Sequence, residues 1–182
     1  MNTLGSIALM VAFVVTIYSA FAGFIGGRRN IPELVNSARN GVMLYAVLTT
    51  IAFVAVIYAF ASRDFSLALV ANHSSRDLPP LLTLTAVWSG QAGSLLFWTW
   101  VLSLYSAIAI WWNWTSNHTA PPTTQKTIPF VSAVLMALQI FFAFMLNFVA
   151  SPFKMMDTIP PDGVGLNPLL THPLMSVHPP LL

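Results

Sequence analysis

Four histidines, at positions 73, 118, 172 and 178, are the side chains of this sequence best suited to nitrogen ligation of a metal, and no cysteine accompanies them. Without thiols the chain can form no disulfide, thiolate metal site, iron–sulfur cluster or thioether link to a prosthetic group. Metal chemistry therefore falls to His, Met or carboxylate. His172 and His178 stand six residues apart, each followed by proline, in the tail Asp162-Gly163-Val164-Gly165-Leu166-Asn167-Pro168-Leu169-Leu170-Thr171-His172-Pro173-Leu174-Met175-Ser176-Val177-His178-Pro179-Pro180-Leu181-Leu182. Proline fixes its own φ and biases the preceding residue toward extended geometry, so both imidazoles hang from a comparatively rigid backbone. A neutral imidazole ligates iron, copper or zinc. The pair does not share a helical face and no carboxylate joins it at a recurrent metal-ligand spacing, so the three or four ligands of a zinc site are not assembled here. His73 and His118 read as solvated loop histidines. Asn72-His73-Ser74, Asn113-Trp114-Thr115 and Asn117-His118-Thr119 match the glycosylation triplet, a pattern common by chance.

The second region with unusual chemistry is Trp88-Ser89-Gly90-Gln91-Ala92-Gly93-Ser94-Leu95-Leu96-Phe97-Trp98, where two glycines, two serines and a glutamine fall within six residues. Such a run breaks a helix or lets it pack closely. Spacings of three and four predict that Trp88, Gln91, Leu95 and Trp98 share one helical face, which mixes two flat aromatics with one amide. Two readings stand: a tight helix contact flanked by interfacial tryptophans, or a bed for a planar apolar ligand lying on Trp88 and Trp98.

The elements that must hold these residues follow from composition. Of 182 residues 57% are hydrophobic and 7% charged, whereas a soluble domain is about a quarter charged. A water-soluble domain is excluded. The net charge of +2 forms no basic stripe, so nucleic acid is excluded as a partner. A spanning helix needs about 20 mostly apolar residues, and the uncharged intervals predict helices over 4–25, 41–62, 91–112 and 128–150. Ala20-Phe21-Ala22 has the form of a signal cleavage site, but no Lys or Arg precedes it, so a retained first helix is the expectation. Arg28, Arg29 and Arg39 against Glu33 place the loop 28–40 in the cytoplasm and the N-terminus outside, which makes 63–90 an external loop.

For 78–125 the count of basic residues is the same with one crossing or two, and the tryptophans decide. From Trp88 to Trp114 is 26 residues, or roughly 39 Å of helix, one bilayer with both headgroup regions. The interval is therefore read as one crossing preceded by an external interfacial segment. The expected fold is an all-α integral membrane protein, one domain over 1–182 with about four transmembrane helices and an external Pro-rich tail from 151 to 182. Gln139 and Asn147, eight apart on the fourth helix, fall on one broad face with Ala143 and suit hydrogen bonds between helices. No ionisable group lies at membrane depth to define an ion path, so the chain does not read as a pump.

Taken together, the run Trp88 to Trp98, then Gly165-Leu166-Asn167-Pro168-Leu169-Leu170, then His178-Pro179-Pro180-Leu181-Leu182 resembles the N-terminal part of CcmF-type proteins of the CcmF/CcsA cytochrome c assembly family. The likeness covers essentially the whole chain. It implies a component of the membrane haem lyase of cytochrome c maturation, in the bacterial inner membrane. Such a component binds non-covalent b-type haem on its external face and positions it for attachment to apocytochrome c. Implied partners are the haem carrier CcmE, CcmH-type proteins that bind apocytochrome, and apocytochrome c itself. His178 takes the place of the family's external axial ligand to haem, and Trp88, Gln91 and Trp98 would pack against haem; His172 has no such standing in the resemblance and enters only as a neighbour of His178. The family's acidic residue between Gln91 and Gly93 is Ala92 here, so whatever that carboxylate contributes is missing or supplied elsewhere. Its tryptophan-rich WWD segment and second external histidine follow the His-Pro-Pro region, beyond Leu182. Trp111-Trp112-Asn113-Trp114 is not that segment, lacking the Asp and lying on the other side of the membrane. The expectation is thus an N-terminal fragment or separate subunit that is not active alone and needs a C-terminal half. The alternative is a noncatalytic membrane scaffold without haem.

Overall fold

The computed structural model describes residues 1–115 and 122–171, with side chains for 1–113 and 126–171. His118, His172 and His178 and the side chain of Trp114 lie outside the described residues. The chain is helical: α1 Asn2–Arg29, α2 Pro32–Ala61, α3 Ala68–His73, α4 Pro80–Ala86, α5 Gln91–Thr115 and α6 Pro122–Phe144, then a π-helical turn Met145–Val149 and a 3-10 turn Pro168–Thr171. Among the described residues the only extended pairing is an isolated bridge between Leu67 and Met155. Among the described residues four helices are long and apolar enough to cross a membrane. The interval 78–125 contributes one of them, α5, preceded by the short α4.

The segment 28–40, expected as a loop, is helical except at Asn30 and Ile31. Asn30 takes φ 52°, the left-handed cap conformation that asparagine tolerates, and the Ile31 amide donates to the Gly26 carbonyl at 2.9 Å. Pro32 then opens α2, where a missing N–H costs nothing. Arg28 and Arg29 at the end of α1 and Glu33 in the first turn of α2 each complement the local helix dipole. The fourth span also differs from a plain helix over 128–150. From Met145 it widens into the π turn, with the Ala150 amide reaching the Met145 carbonyl at 2.8 Å. Gln139 is fully buried and Asn147, within the π turn, is half-exposed.

The chain divides into two compact units. One contains residues 8–50 and 99–144. Its core gathers Ala12, Val42, Tyr45, Ile110, Met136 and Ala143. Hydroxyl and amide contacts stitch its helices together. Thr16 donates to the Met136 carbonyl at 3.0 Å, the Thr49 and Ser103 hydroxyls meet at 2.8 Å, Trp100 Nε1 donates to Thr50 Oγ1 at 3.0 Å, and Gln139 Nε2 donates to Ser106 Oγ at 3.1 Å. This is how helices associate where lipid removes the hydrophobic driving force. Among the described residues no Asp, Glu, Lys, Arg or His is buried.

The other unit contains residues 1–7, 51–98 and those from Met145 on. After α2, Arg63 sits at φ 54°, a conformation that costs a non-glycine residue about 1 kcal/mol. What offsets the cost is its guanidinium, which donates to the Ser75 carbonyl and, at 2.9 Å, to the Leu78 carbonyl. The first residues of α1 are tied in by Asn2 Nδ2, which donates to Asp64 Oδ2 at 2.8 Å. The stretch after the π turn is held by amides: Ala68 donates to the Lys154 carbonyl at 2.9 Å and Met156 to the Ser66 carbonyl at 2.8 Å.

Candidate functional site

The short helix α3 ends with carbonyls that have no partner in their own turn, a general property of helix C-termini. The segment 161–165 satisfies them. The Val164 amide donates to the Ala71 carbonyl at 2.8 Å and the Gly165 amide to the Ser74 carbonyl at 3.0 Å. Two glycines make that approach possible: a Cβ on Gly163 would collide with the Ser74 carbonyl, and Gly165 stands at φ 90°. Arg76 locks the same junction. Its amide donates to Asp162 Oδ1 at 2.9 Å, its Nε to the Pro161 carbonyl at 3.0 Å, and its guanidinium lies 5.8 Å from the Phe65 ring centre. From this anchor the chain passes to Asn167, whose Oδ1 accepts from the Leu169 amide at 3.0 Å and whose carbonyl accepts from Leu170 at 2.8 Å. Asn167 thereby caps the 3-10 turn that Pro168 opens.

The glycine-rich run before α5 meets this region from the other side. Trp88 is not on the face of α5, as the spacing had predicted; it lies in the turn 87–90 that precedes the helix. The reason is steric. Gly93 is seated on the Val87 carbonyl so closely that no side chain fits, while Ser94 Oγ donates to the Trp88 carbonyl at 2.6 Å. These contacts fold the chain back on itself where a continuous helix was expected. Trp88 instead packs at a tilt of 42° against Phe97, 5.6 Å between ring centres, and Phe97 also touches Trp98 at 5.8 Å and Phe53 at 5.9 Å. Phe97, which the spacing argument passed over, is the centre of the aromatic cluster. Gln91 is exposed at the start of α5, and Trp98 is 39% exposed.

The two regions singled out in the sequence meet at a cavity of about 350 Å³, lined by Asn72 and His73 of α3, Ser89 of the turn, and Val164 to Pro168 with Leu170. His73 was read from sequence as a solvated loop residue; it is half-buried, ends α3 and faces this cavity. Its Nδ1 lies 3.0 Å from the Leu69 carbonyl, and since a carbonyl only accepts, Nδ1 carries the proton. In the neutral ring Nε2 is then the basic nitrogen, the arrangement seen in metal-ligating and proton-accepting imidazoles. The ring rests against Gly90, where a Cβ would come within 2.6 Å of both Cε1 and Nε2. No local sequence signal distinguishes His73, because its surroundings come from residues 89–90 and 164–170. Among the described residues no group of three His, Cys, Asp or Glu gathers to hold a metal ion. The cavity therefore offers one imidazole with amide and hydroxyl groups. It is at the lower end of the ~300–1,000 Å³ range of ligand pockets, enough for one edge of a large planar ligand.

Fold and site together define a multi-pass, helical membrane protein with a cavity of mixed polar and apolar lining, framed by the segment between α2 and α5 and the segment that follows α6. No family model matches the chain, but it is 33% identical over 98% of its length to the cytochrome c-type biogenesis protein CcmF of Haemophilus influenzae, and 32% identical over 98% to the ccl1 protein of Rhodobacter capsulatus. A solved cytochrome c heme lyase, CcmF, superposes with a TM-score of 0.77 over 99% of the chain at 26% identity. The chain belongs to the CcmF family of cytochrome c-type biogenesis proteins and corresponds to their N-terminal part. It spans about a quarter of their length, 27% of the Haemophilus protein and 27% of the solved chain.

Proposed function

We propose that this chain acts in cytochrome c maturation as the part of a haem lyase that helps hold haem at the external face of the bacterial inner membrane for transfer to apocytochrome c. The observation that carries this reading is the meeting of the two motif segments, 88–98 and 165–170, around one cavity that His73 faces. Haem is here the substrate to be delivered, and it supplies the vinyl groups to which the thiols of apocytochrome c add. The residues of this chain bind and orient it. His178 serves as the axial ligand, with His172 a weaker candidate; the aromatic cluster of Trp88, Phe97 and Trp98 flanks the porphyrin, with Gln91 at the rim. His73, Asn72 and Ser89 offer polar contacts to one porphyrin edge. Non-covalent, b-type binding is consistent with the absence of cysteine. On this reading CcmE delivers haem, CcmH-type proteins present the apocytochrome, and a C-terminal half with the WWD segment completes the site. On the same reading the N-terminus and the tail after 151 face outward, which the arginines of 28–40 support as a cytoplasmic cluster.

The test is haem content after purification in detergent, with the chain assembled with the C-terminal part of its relatives. His178→Ala is expected to cut haem absorbance several-fold, and His73→Ala to weaken retention without abolishing it. Unchanged absorbance in His178→Ala would remove the reading in favour of a scaffold without haem.

A further inference from the structure

The unit formed by 8–50 and 99–144 carries a second cavity that the haem reading does not use. It is a groove of about 360 Å³ between α1 and α6, walled by Phe21, Phe24, Phe130, Val134 and Ala137. A hollow of about 290 Å³ shares Phe130 and Val134 with it. The helices come close at two glycines. A Cβ on Gly23 would lie 3.0 Å from the Pro129 carbonyl, and one on Gly27 would lie 3.0 Å from Pro129 Cβ and 3.2 Å from the Phe130 ring. Beside that contact Phe24 and Phe130 meet edge to face at 6.1 Å, while Phe21 stays 63% exposed and Val134 61% exposed. The result is an apolar slot that opens to the side of the helix pair.

The ends of the two slot-lining faces are cationic. Residues three, four and seven apart share a helix face, so Phe21, Phe24 and Arg28 fall on one face of α1, and Lys126, Phe130, Val134 and Ala137 on one face of α6. The Gly27 contact with Pro129 and Phe130 brings these two basic ends to the same mouth of the groove. Arg28, Arg29 and Lys126 are exposed there, and Glu33 is the one acid of this unit. An apolar slot ending in a cationic mouth has the complementarity of a lipid with an acyl chain and an anionic headgroup. Ala20, Ala133 and Ala137 line the slot beside the phenylalanine rings, so a second transmembrane helix is the competing occupant, and what favours lipid is the cationic mouth, to which a helix brings no anionic group.

We infer that the groove between α1 and α6 is a binding site for an anionic phospholipid, its acyl chain against Phe21, Phe24, Phe130 and Val134 and its phosphate between Arg28 and Lys126. Native mass spectrometry of the full chain, released from detergent containing phosphatidylglycerol or phosphatidylcholine with the same acyl chains, tests the assignment. Phosphatidylglycerol is expected to be retained preferentially, and each cation removed by Arg28→Gln or Lys126→Gln should lower that retention about fivefold. Ala137→Phe, which fills the slot and leaves the charges, should lower retention of both lipids. Lys154→Gln, which removes an exposed cation of the other unit, should change neither. Equal retention of the two lipids, a preference that survives the double charge variant, no bound lipid at all, or indifference to Ala137→Phe would each overturn the site.

Discussion

His73 lies against Gly90 so closely that a methyl group at position 90 would stand 2.6 Å from two atoms of the imidazole, while the opposite ring nitrogen is held 3.0 Å from the Leu69 carbonyl. The ring is thus clamped between its own helix and the turn that precedes α5. Gly90→Ala is expected to break the Leu69 hydrogen bond or to push the turn away, at about 1–2 kcal/mol. A double-mutant cycle with His73→Ala checks the cause. If the ring is what the methyl group meets, adding Gly90→Ala to His73→Ala costs little, and thermal unfolding gives a coupling of about 1 kcal/mol or more.

Gly93→Ala should be worse. The obstacle is the Val87 carbonyl, a backbone atom that cannot rotate aside. A loss of about 3 kcal/mol, near the upper end for overpacking, is expected in thermal unfolding in detergent. Ser94→Ala, which removes the 2.6 Å bond to the Trp88 carbonyl, should cost about 1 kcal/mol.

The Asp64 carboxyl is held below its usual 3.8 chiefly by the hydrogen bond from the Ser66 hydroxyl; partial burial opposes this, and further hydrogen bonds from Asn2 and the Ser66 amide add to it. A depressed folded-state value means that the ionised form is favoured by folding. The contribution is fully present above the ordinary carboxylate range and is lost as pH falls through the folded value. The difference in melting temperature between the wild type and Asp64→Asn should therefore be constant from neutral pH to about 5 and shrink below about 4. A difference that grows on acidification would contradict the assignment.

Gln139 is fully buried, its Nε2 donating to Ser106 at 3.1 Å and its Oε1 without a hydrogen-bond partner. Removing one partner of a buried hydrogen bond costs more than removing both. Ser106→Ala is expected to destabilise by about 1–2 kcal/mol, whereas Gln139→Met in the Ser106→Ala background should recover most of that loss. Chemical denaturation of the three variants in one detergent measures the order.

Much of this protein is determined by neighbours along the chain. Hydropathy over about 20 residues is a local quantity, and it is enough to predict four long apolar helices and a single one within 78–125. Cap chemistry is local too, yet Asn30 followed by Pro32 shows its limit: the same residues that suggest a loop between spans serve as a two-residue break between helices. Helical spacing failed at Trp88 because Gly93 rests on the Val87 carbonyl, a contact that turns the chain before α5 begins. The π turn from Met145 is likewise absent from the spacing, because it changes the number of residues per turn. His73 was illegible for a deeper reason. Its cavity is built by residues 89–90 and 164–170, brought to α3 because the carbonyls of Ala71 and Ser74 need donors and glycines at 163 and 165 let a segment distant in sequence supply them. Apolar length and charge are written in the sequence. Which donor satisfies which distant carbonyl is decided only when the packed chain brings them together.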